Sequence, residues 1–358
     1  MNLLSVFGAS PYPVLVDSSI KEIPKYLSRA GFNGKILIIT DTNVGNLYLK
    51  KVTSLLKDKY IFETYLLPPG EINKNQMYLS EIWEILTRKK FHRNDCIISL
   101  GGGVISDIAG LAASTFSRGI KLFLIPSTLL SQIDASIGGK NAINFSGTKN
   151  IIGTFYSPSA VLIDISLLNS LTPKEISNGM GEVIKYSLIM PTDFFEYLEK
   201  SVSENIYQAK AIKYIIWRCT QFKVDIVNRD PYEENIRKIL NFGHTFGHAI
   251  ESFYSYERYS HGESIALGML MACRLSIYLK RFSRKQYYRV ESLLNKFGLP
   301  TTLPNDFYPE IAIDYMKNDK KNTHEGITLI IPIMIGKVEE IIITDEKLIL
   351  NALGSIIE

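Results

Sequence analysis

Four short β-branched runs constrain the first half of the chain more than any other feature: KILIIT (35–40), DCIISL (95–100), KLFLIP (121–126) and AVLIDI (160–165). Between them lie stretches of helical period such as NQMYLSEIWEILTRKK (75–90). Strands alternating with helices are joined by crossovers, and crossovers produce a parallel sheet covered on both faces. Past residue 170 the pattern changes. Segments at 175–190, 203–228, 234–254 and 262–282 carry Leu, Ile, Met and Tyr at helical spacing, and strand character returns only in GITLIIPIMIGKVEEIII (326–343), which reads as a hairpin. A chain of 358 residues exceeds the size at which one core keeps growing. The expectation is an α/β domain over 1–170 followed by a mainly α-helical domain over 171–358.

Composition excludes several classes. The longest apolar run, ITLIIPIMIG, is interrupted by Pro332 and falls short of the roughly 20 residues that cross a bilayer. The opening MNLLSVFGAS lacks a positively charged start and a small-residue cleavage site, and Cys96, Cys219 and Cys273 have no close spacing. A reducing cytoplasm is the expected location. A net charge of +4 with no long Lys/Arg run argues against nucleic acid and suits a small anionic metabolite.

LGGGVISDIAG (100–110) follows a strand and opens a helix. Glycines there let the backbone approach a pyrophosphate, and the helix start offers unpaired N–H groups and a favourable dipole. Gly101, Gly103 and Ser106 approximate G-x-G-x-x-G, although a tight turn without a ligand needs the same residues. Upstream, Thr40, Asp41 and Asn43 end a strand where a ribose or nicotinamide is often hydrogen-bonded, while Asp41 and Thr42 equally suit a helix N-cap. QIDASIGGKNAINFSGTKNIIG (132–153) sets Asp134, Lys140, Lys149 and Asn150 among Gly138, Gly139 and Gly147. A flexible glycine-rich loop carrying lysines reads as a clamp for phosphate oxygens or as a solvated surface loop.

Two of the five histidines, His244 and His248, stand four apart in NFGHTFGHAIE (241–251). That spacing puts both imidazoles on one helical face. His261 begins a further helical stretch in YSHGESIALGM, and GMGEVIKYS (179–187) places Glu182 and Lys185 on one face of an otherwise apolar helix. A glutamate and two histidines suffice for a catalytic zinc with an open position, and burying such groups is costly unless they are paired or metal-bound. Spacing leaves open which two histidines ligate.

GGGVISDIAG, PSTLLSQIDASIGGKNAIN, GTKNIIG, GMGEVIK, ILNFGHTFGHAIE and HGESIALGM run in order over nearly the whole chain, and together they resemble the motifs of the 3-dehydroquinate synthases. The resemblance implies a Rossmann-like NAD-binding domain and a helical domain that binds metal and substrate. It implies conversion of 3-deoxy-D-arabino-heptulosonate 7-phosphate to 3-dehydroquinate and phosphate, by transient oxidation, β-elimination, re-reduction and aldol closure. NAD and a divalent metal, zinc or cobalt, would serve as cofactors. Glu182, His244 and His261 would be the ligands and His248 would face the substrate.

By the same resemblance Asp134, Lys140, Lys185, Lys223, Arg237, Asn241 and Lys321 contact substrate. Lys223, Arg237 and Asn241 would hold its carboxylate. Lys140, Asn150 and His248 would hold its phosphate, with Arg118 reaching across a homodimer. NAD would meet Asp41, Asn43, Glu71, Lys74, Gly102, Gly103, Val104, Ser106, Asp107, Ser127, Thr128, Lys140 and Lys149. The chain departs from the family at Ser106 and Gly181, where glycine and alanine are usual, at Asn235, and in SLTPKE (170–175), where the proline is displaced by one and lysine stands for arginine. Rival activities are those of other sugar-phosphate cyclases, whose substrates lack the carboxylate, and of metal-dependent polyol dehydrogenases, which have no use for a phosphate clamp. A nucleotide-binding regulatory protein with a structural zinc is a non-enzymatic rival.

Overall fold

The computed structural model describes residues 2–7, 10–201, 209–317 and 326–358. The chain forms two compact units, Met1–Leu171 with Ile216–Tyr232, and Thr172–Ile215 with Glu233–Glu358. The first is α/β and the second mainly helical. Among the described residues no helix is long and apolar enough to cross a membrane.

In the first unit the strands are β1 (Asn2–Val6), β2 (Tyr12–Val16), β3 (Ile36–Asp41), β4 (Phe62–Leu67), β5 (Cys96–Gly101), β6 (Lys121–Pro126), β7 (Lys140–Phe145), β8 (Thr148–Phe155) and β9 (Ala160–Ile163). Seven form one sheet in the order β1-β2-β9-β6-β5-β3-β4. All neighbours from β2 onward are parallel; only the β1–β2 edge is antiparallel. Every residue of β3 and β5 is buried, as continuous β-branched runs require when both faces are covered. Ile36, Ile38, Cys96, Ile98, Leu100 and Phe123 meet in one core beneath the sheet. From β3 the chain goes outward to β4 and then returns past β3 to β5 and β6. The reversal lies between β3 and β5, and in doubly wound sheets the carboxyl ends of the strands beside such a reversal border the ligand crevice.

The four strongly apolar strands were legible; β1, β2 and β4 were not. β4 is an edge strand, and its Phe62, Glu63, Thr64, Tyr65 and Leu66 are part-exposed or exposed, so it lacks the apolar run of a central strand. The segment at 132–153 also differs from expectation. Most of it is not a flexible loop but an antiparallel ribbon of β7 and β8, closed by a two-residue turn in which Ser146 and Gly147 have φ of 49° and 76°. Positive φ at both turn residues matches the twist of a hairpin, and the Ser-Gly pair was its signal.

The second unit contains the helices Pro173–Ile189, Thr192–Lys200, His244–Phe253, His261–Tyr278, Arg284–Lys296, Pro309–Lys317 and Glu346–Gly354, with a hairpin of β10 (Ile327–Met334) and β11 (Lys337–Ile343). The helix Pro173–Ile189 is buried at every position from Gly179 onward, the mark of an interior helix. Two local signals set its neighbours. A capping box of Ser260 and Glu263 starts one helix at His261. The segment at 234–254 is broken: a 3₁₀ turn, Ile236–Asn241, ends before Gly243, whose φ of 78° suits glycine, and the next helix starts at His244. His244 and His261 therefore each sit at the first residue of a helix.

Candidate metal centre and nucleotide-binding edge

Within the second unit, Glu182, His244 and His261 converge. Glu182 Oε1 lies 3.5 Å from His244 Nε2 and 3.4 Å from His261 Nε2. Donors about 2 Å from a tetrahedral ion stand roughly 3.3 Å apart, so the spacing suits a divalent cation. The other ring nitrogens are also occupied. His244 Nδ1 is 3.2 Å from the carbonyl of Phe242, and His261 Nδ1 is 3.0 Å from Glu251 Oε1. A histidine that donates from Nδ1 offers its Nε2 lone pair, which is the tautomer a metal needs. Glu182 is fully buried and its other oxygen is paired with Lys185, one turn along and 1% exposed. A buried carboxylate and lysine beside two part-buried imidazoles fit a site built to hold an ion that a substrate can reach.

The convergence depends on very close backbone packing. A Cβ on Gly181 would lie 2.5 Å from the Gly262 carbonyl oxygen, and one on Gly262 would lie 1.9 Å from that of Asn178. Side-chain-free positions let the helices carrying Glu182 and His261 approach, and Gly181 in place of the usual alanine belongs to this contact. The His244 and His261 rings are 5.4 Å apart between centroids, as are those of His244 and His248. His248 joins Glu251 and His261 in a second group of potential donors.

Other groups singled out in the sequence lie in this unit. Arg237 is 2% exposed. Asn241 donates to Glu233 Oε1 at 2.6 Å. Lys185 Nζ also lies 4.8 Å from the centre of the Tyr186 ring. Lys321 falls outside the described residues.

In the first unit, the turn after β5 leads into the helix Gly103–Thr115, capped at Gly102 with no side-chain hydrogen bond, so its first N–H groups point outward as an anion site requires. Ser106 is buried, and its hydroxyl donates back to the Gly102 carbonyl at 3.2 Å. After β6, the Ser127 hydroxyl is buried without a hydrogen-bond partner among the described residues. Thr128 is tied into its own turn through Ser131, 2.8 Å between hydroxyls. After β3, Asp41 Oδ1 accepts from the backbone N–H groups of Asn43 and Val44 at 2.9 and 3.0 Å, so the capping role is real. Asn43 is exposed, and Val104 lies in the first helical turn.

Lys74 anchors a second polar cluster. Its ammonium is 2.9 Å from Asp107, 3.1 Å from Glu71 and 2.6 Å from Asn150 Oδ1. Burial would lower the Lys74 pKa, but Asp107 and Glu71 outweigh it and hold the value above the ordinary one. For Glu71 burial acts to raise the pKa, and Lys74 and Lys149 bring it below the usual carboxylate value. Asp107 is pushed up, because burial there exceeds the pull of Lys74. Asn144, a residue the sequence reading passed over, joins the cluster by donating to Glu71 at 3.0 Å and accepting from the Asn150 N–H at 2.9 Å.

Asp134 and Lys223 are paired, with Lys223 donating to both the carbonyl and the carboxylate of Asp134. Lys140 opens β7 and is exposed, Lys149 lies on β8, and Arg118 is exposed with φ of 62°. Glu251 and Glu233 were also missed. Glu251 had a signal, since it stands seven residues past His244 and three past His248, on the same helical face. Glu233 had none; only the folded chain brings it to Asn241.

Family models described as 3-dehydroquinate synthase N-terminal and 3-dehydroquinate synthase C-terminal match residues 64–178 and 179–322. A 3-dehydroquinate synthase of Thermoanaerobacter sp. (strain X514) is 40% identical over 341 residues, 94% of this chain and 96% of that protein. Among solved structures, a 2-epi-5-epi-valiolone synthase from Streptomyces hygroscopicus subsp. jinggangensis 5008 with NAD+ and Zn2+ bound is similar at a TM-score of 0.90 and 24% identity, over 99% of this chain and 98% of that one. A 2-deoxy-scyllo-inosose synthase complexed with carbaglucose-6-phosphate, NAD+ and Co2+ is similar at 0.88 and 24%, over 98% and 99%. At that identity the structural likeness carries the fold.

Proposed function

The chain belongs to the 3-dehydroquinate synthase family, and on that premise we propose that it acts as a carbon–oxygen lyase. Its substrate is 3-deoxy-D-arabino-heptulosonate 7-phosphate, and its products are 3-dehydroquinate and phosphate. One observation carries the reading: a fully buried Glu182 oxygen lies 3.5 and 3.4 Å from two imidazole nitrogens whose far sides are already hydrogen-bonded.

Glu182, His244 and His261 would hold a zinc or cobalt ion. Asp41, Asn43, Glu71, Lys74, Gly102, Gly103, Val104, Ser106, Asp107, Ser127, Thr128, Lys140 and Lys149 would meet NAD. When bound, NAD supplies reversible hydride uptake and the ion acidifies substrate hydroxyls. The remaining work is positioning. Arg237, with its guanidinium fork, Lys223 and Asn241 suit the carboxylate. Lys140, Asn150 and His248 suit the phosphate, joined by Arg118 of a second copy in a homodimer. Asp134 steadies Lys223, and Lys185 balances the charge of Glu182. Gripping a substrate at both anionic ends restricts it to one conformer, which converts binding energy into rate. A cytoplasmic location accords with the biosynthetic role.

The test is incubation of the protein with the heptulosonate phosphate, NAD+ and Zn2+, following phosphate and NADH together. Phosphate rising with no net NADH is the expected result. Accumulating NADH would mark a polyol dehydrogenase, and no phosphate release would refute the lyase reading. Turnover of a carboxylate-free sugar phosphate in preference would mark another cyclase.

A further inference from the structure

We infer that Glu251 is a positioning residue for the metal centre, acting through His261; the inference rests on the metal reading above. Glu251 is 3% exposed, and its Oε1 lies 3.0 Å from His261 Nδ1, on the side of the ring opposite the nitrogen that faces Glu182. One imidazole is thus held between two buried carboxylates. The arrangement fixes the ring twice: a proton on Nδ1 is held by Glu251, and the lone pair on Nε2 is presented to the ion. His244 is held in the same sense by a neutral acceptor, the Phe242 carbonyl. The two ligands therefore differ in the charge behind them, and the carboxylate behind His261 makes that imidazole the more strongly donating one.

The alternative for Glu251 is direct ligation. It forms a donor group with His248 and His261 in which the atoms lie within 4.8 Å of one another. A 3.0 Å contact with Nδ1 favours the hydrogen bond.

The experiment compares Zn2+ affinity, by competition with a chromogenic chelator, in full-length wild type, Glu251→Ala and Glu251→Gln. The unfolding midpoint of the metal-free proteins and the visible absorption of their Co2+ forms are measured alongside. Glu251→Ala is expected to weaken Zn2+ binding by about 10- to 100-fold. Glu251→Gln, whose amide oxygen still accepts from Nδ1, is expected to recover most of that loss with an unchanged Co2+ spectrum. If Glu251→Ala does not fold, Glu251→Asp replaces it, since it keeps the charge but is one methylene too short, and a similar loss is expected. Zn2+ binding within about twofold of wild type in the Ala or Asp variant would overturn the inference. So would a Gln variant as weak as Ala with an altered Co2+ spectrum, which would make Glu251 a ligand. Failure of the metal reading is distinguishable: Glu182→Gln and His244→Ala would then keep stoichiometric Zn2+.

Discussion

Lys223 donates to both the backbone carbonyl and the carboxylate of Asp134, 89 residues earlier in the chain. The lysine side chain is 7% exposed and the aspartate 24%, so the ammonium is held in a nearly dry setting. That is a preorganised cation, oriented before an anion arrives.

Replacing Lys223 with alanine should therefore impair binding of a carboxylate substrate. A hydrogen bond to a charged group contributes about 1.5–3 kcal/mol, so KM should rise by roughly 10- to 100-fold. Zinc content, which the proposed ligands Glu182, His244 and His261 of the other unit would set, should not change. Steady-state kinetics with metal analysis checks both, and an unchanged KM would remove Lys223 from the substrate site.

The Lys74 cluster predicts a pH signature. Glu71 is held below its ordinary value of 4.5, so its contribution to stability is present above that pH and is lost as pH falls through the lowered value. Lys74 is held above 10.5, so its contribution is complete below that pH and is lost as pH rises through the raised value. Asp107, being raised, opposes Glu71 on the acid side, which makes a variant more informative than the wild type alone. The gap in thermal midpoint between wild type and Glu71→Gln should be widest near neutral pH, begin to narrow as pH falls below 4.5 and close only below the lowered Glu71 value. A gap independent of pH would refute the account.

Ser106→Gly restores the residue usual in the family, yet it should leave NAD+ binding within about threefold, because the hydroxyl is spent on the Gly102 carbonyl and Ser106 would meet NAD through its backbone, which glycine keeps. Its cost should appear in stability, roughly 0.5–1 kcal/mol for glycine inside a helix. Calorimetric titration with NAD+ and a urea melt separate the two. A large gain in affinity would mean that Ser106 obstructs the nucleotide.

Gly268→Ala should damage the metal centre from a distance. The new Cβ would lie 2.1 Å from the Gly243 carbonyl oxygen and 2.7 Å from the Gly247 N, so the helix that starts at His244 must move. Overpacking of this kind costs about 1–3 kcal/mol. Zinc affinity should fall together with stability, and full zinc affinity in a destabilised protein would show that the helices tolerate the shift.

Several parts of the molecule were written locally. The burial of β3, β5, β6 and β9 follows from runs that only a covered parallel sheet accommodates. The helix at His261 follows from Ser260 and Glu263, and the glycine turn after β5 follows from its position between strand and helix. Periods of 2 and 3.6 residues are properties of a few successive side chains, so they survive in the sequence. β4 was invisible because an edge strand faces water and loses its apolar pattern, and the 132–153 hairpin was masked by the glycines and lysines it carries.

What the sequence by itself determined was part of the inventory: the four central strands, the change from α/β to mainly helical character, and the acid and imidazoles available for a metal. Only the tertiary structure decided their partners. Glu182 and His244 are 62 residues apart and meet because glycines at 181, 243, 262 and 268 remove the side chains that would hold three helices apart. Glu251 was on the helical face with His244 all along, but its contact with His261 exists only once two helices pack. Hydrogen bonds act over about 3 Å of space, and separation along the chain says nothing about that distance until the core has closed.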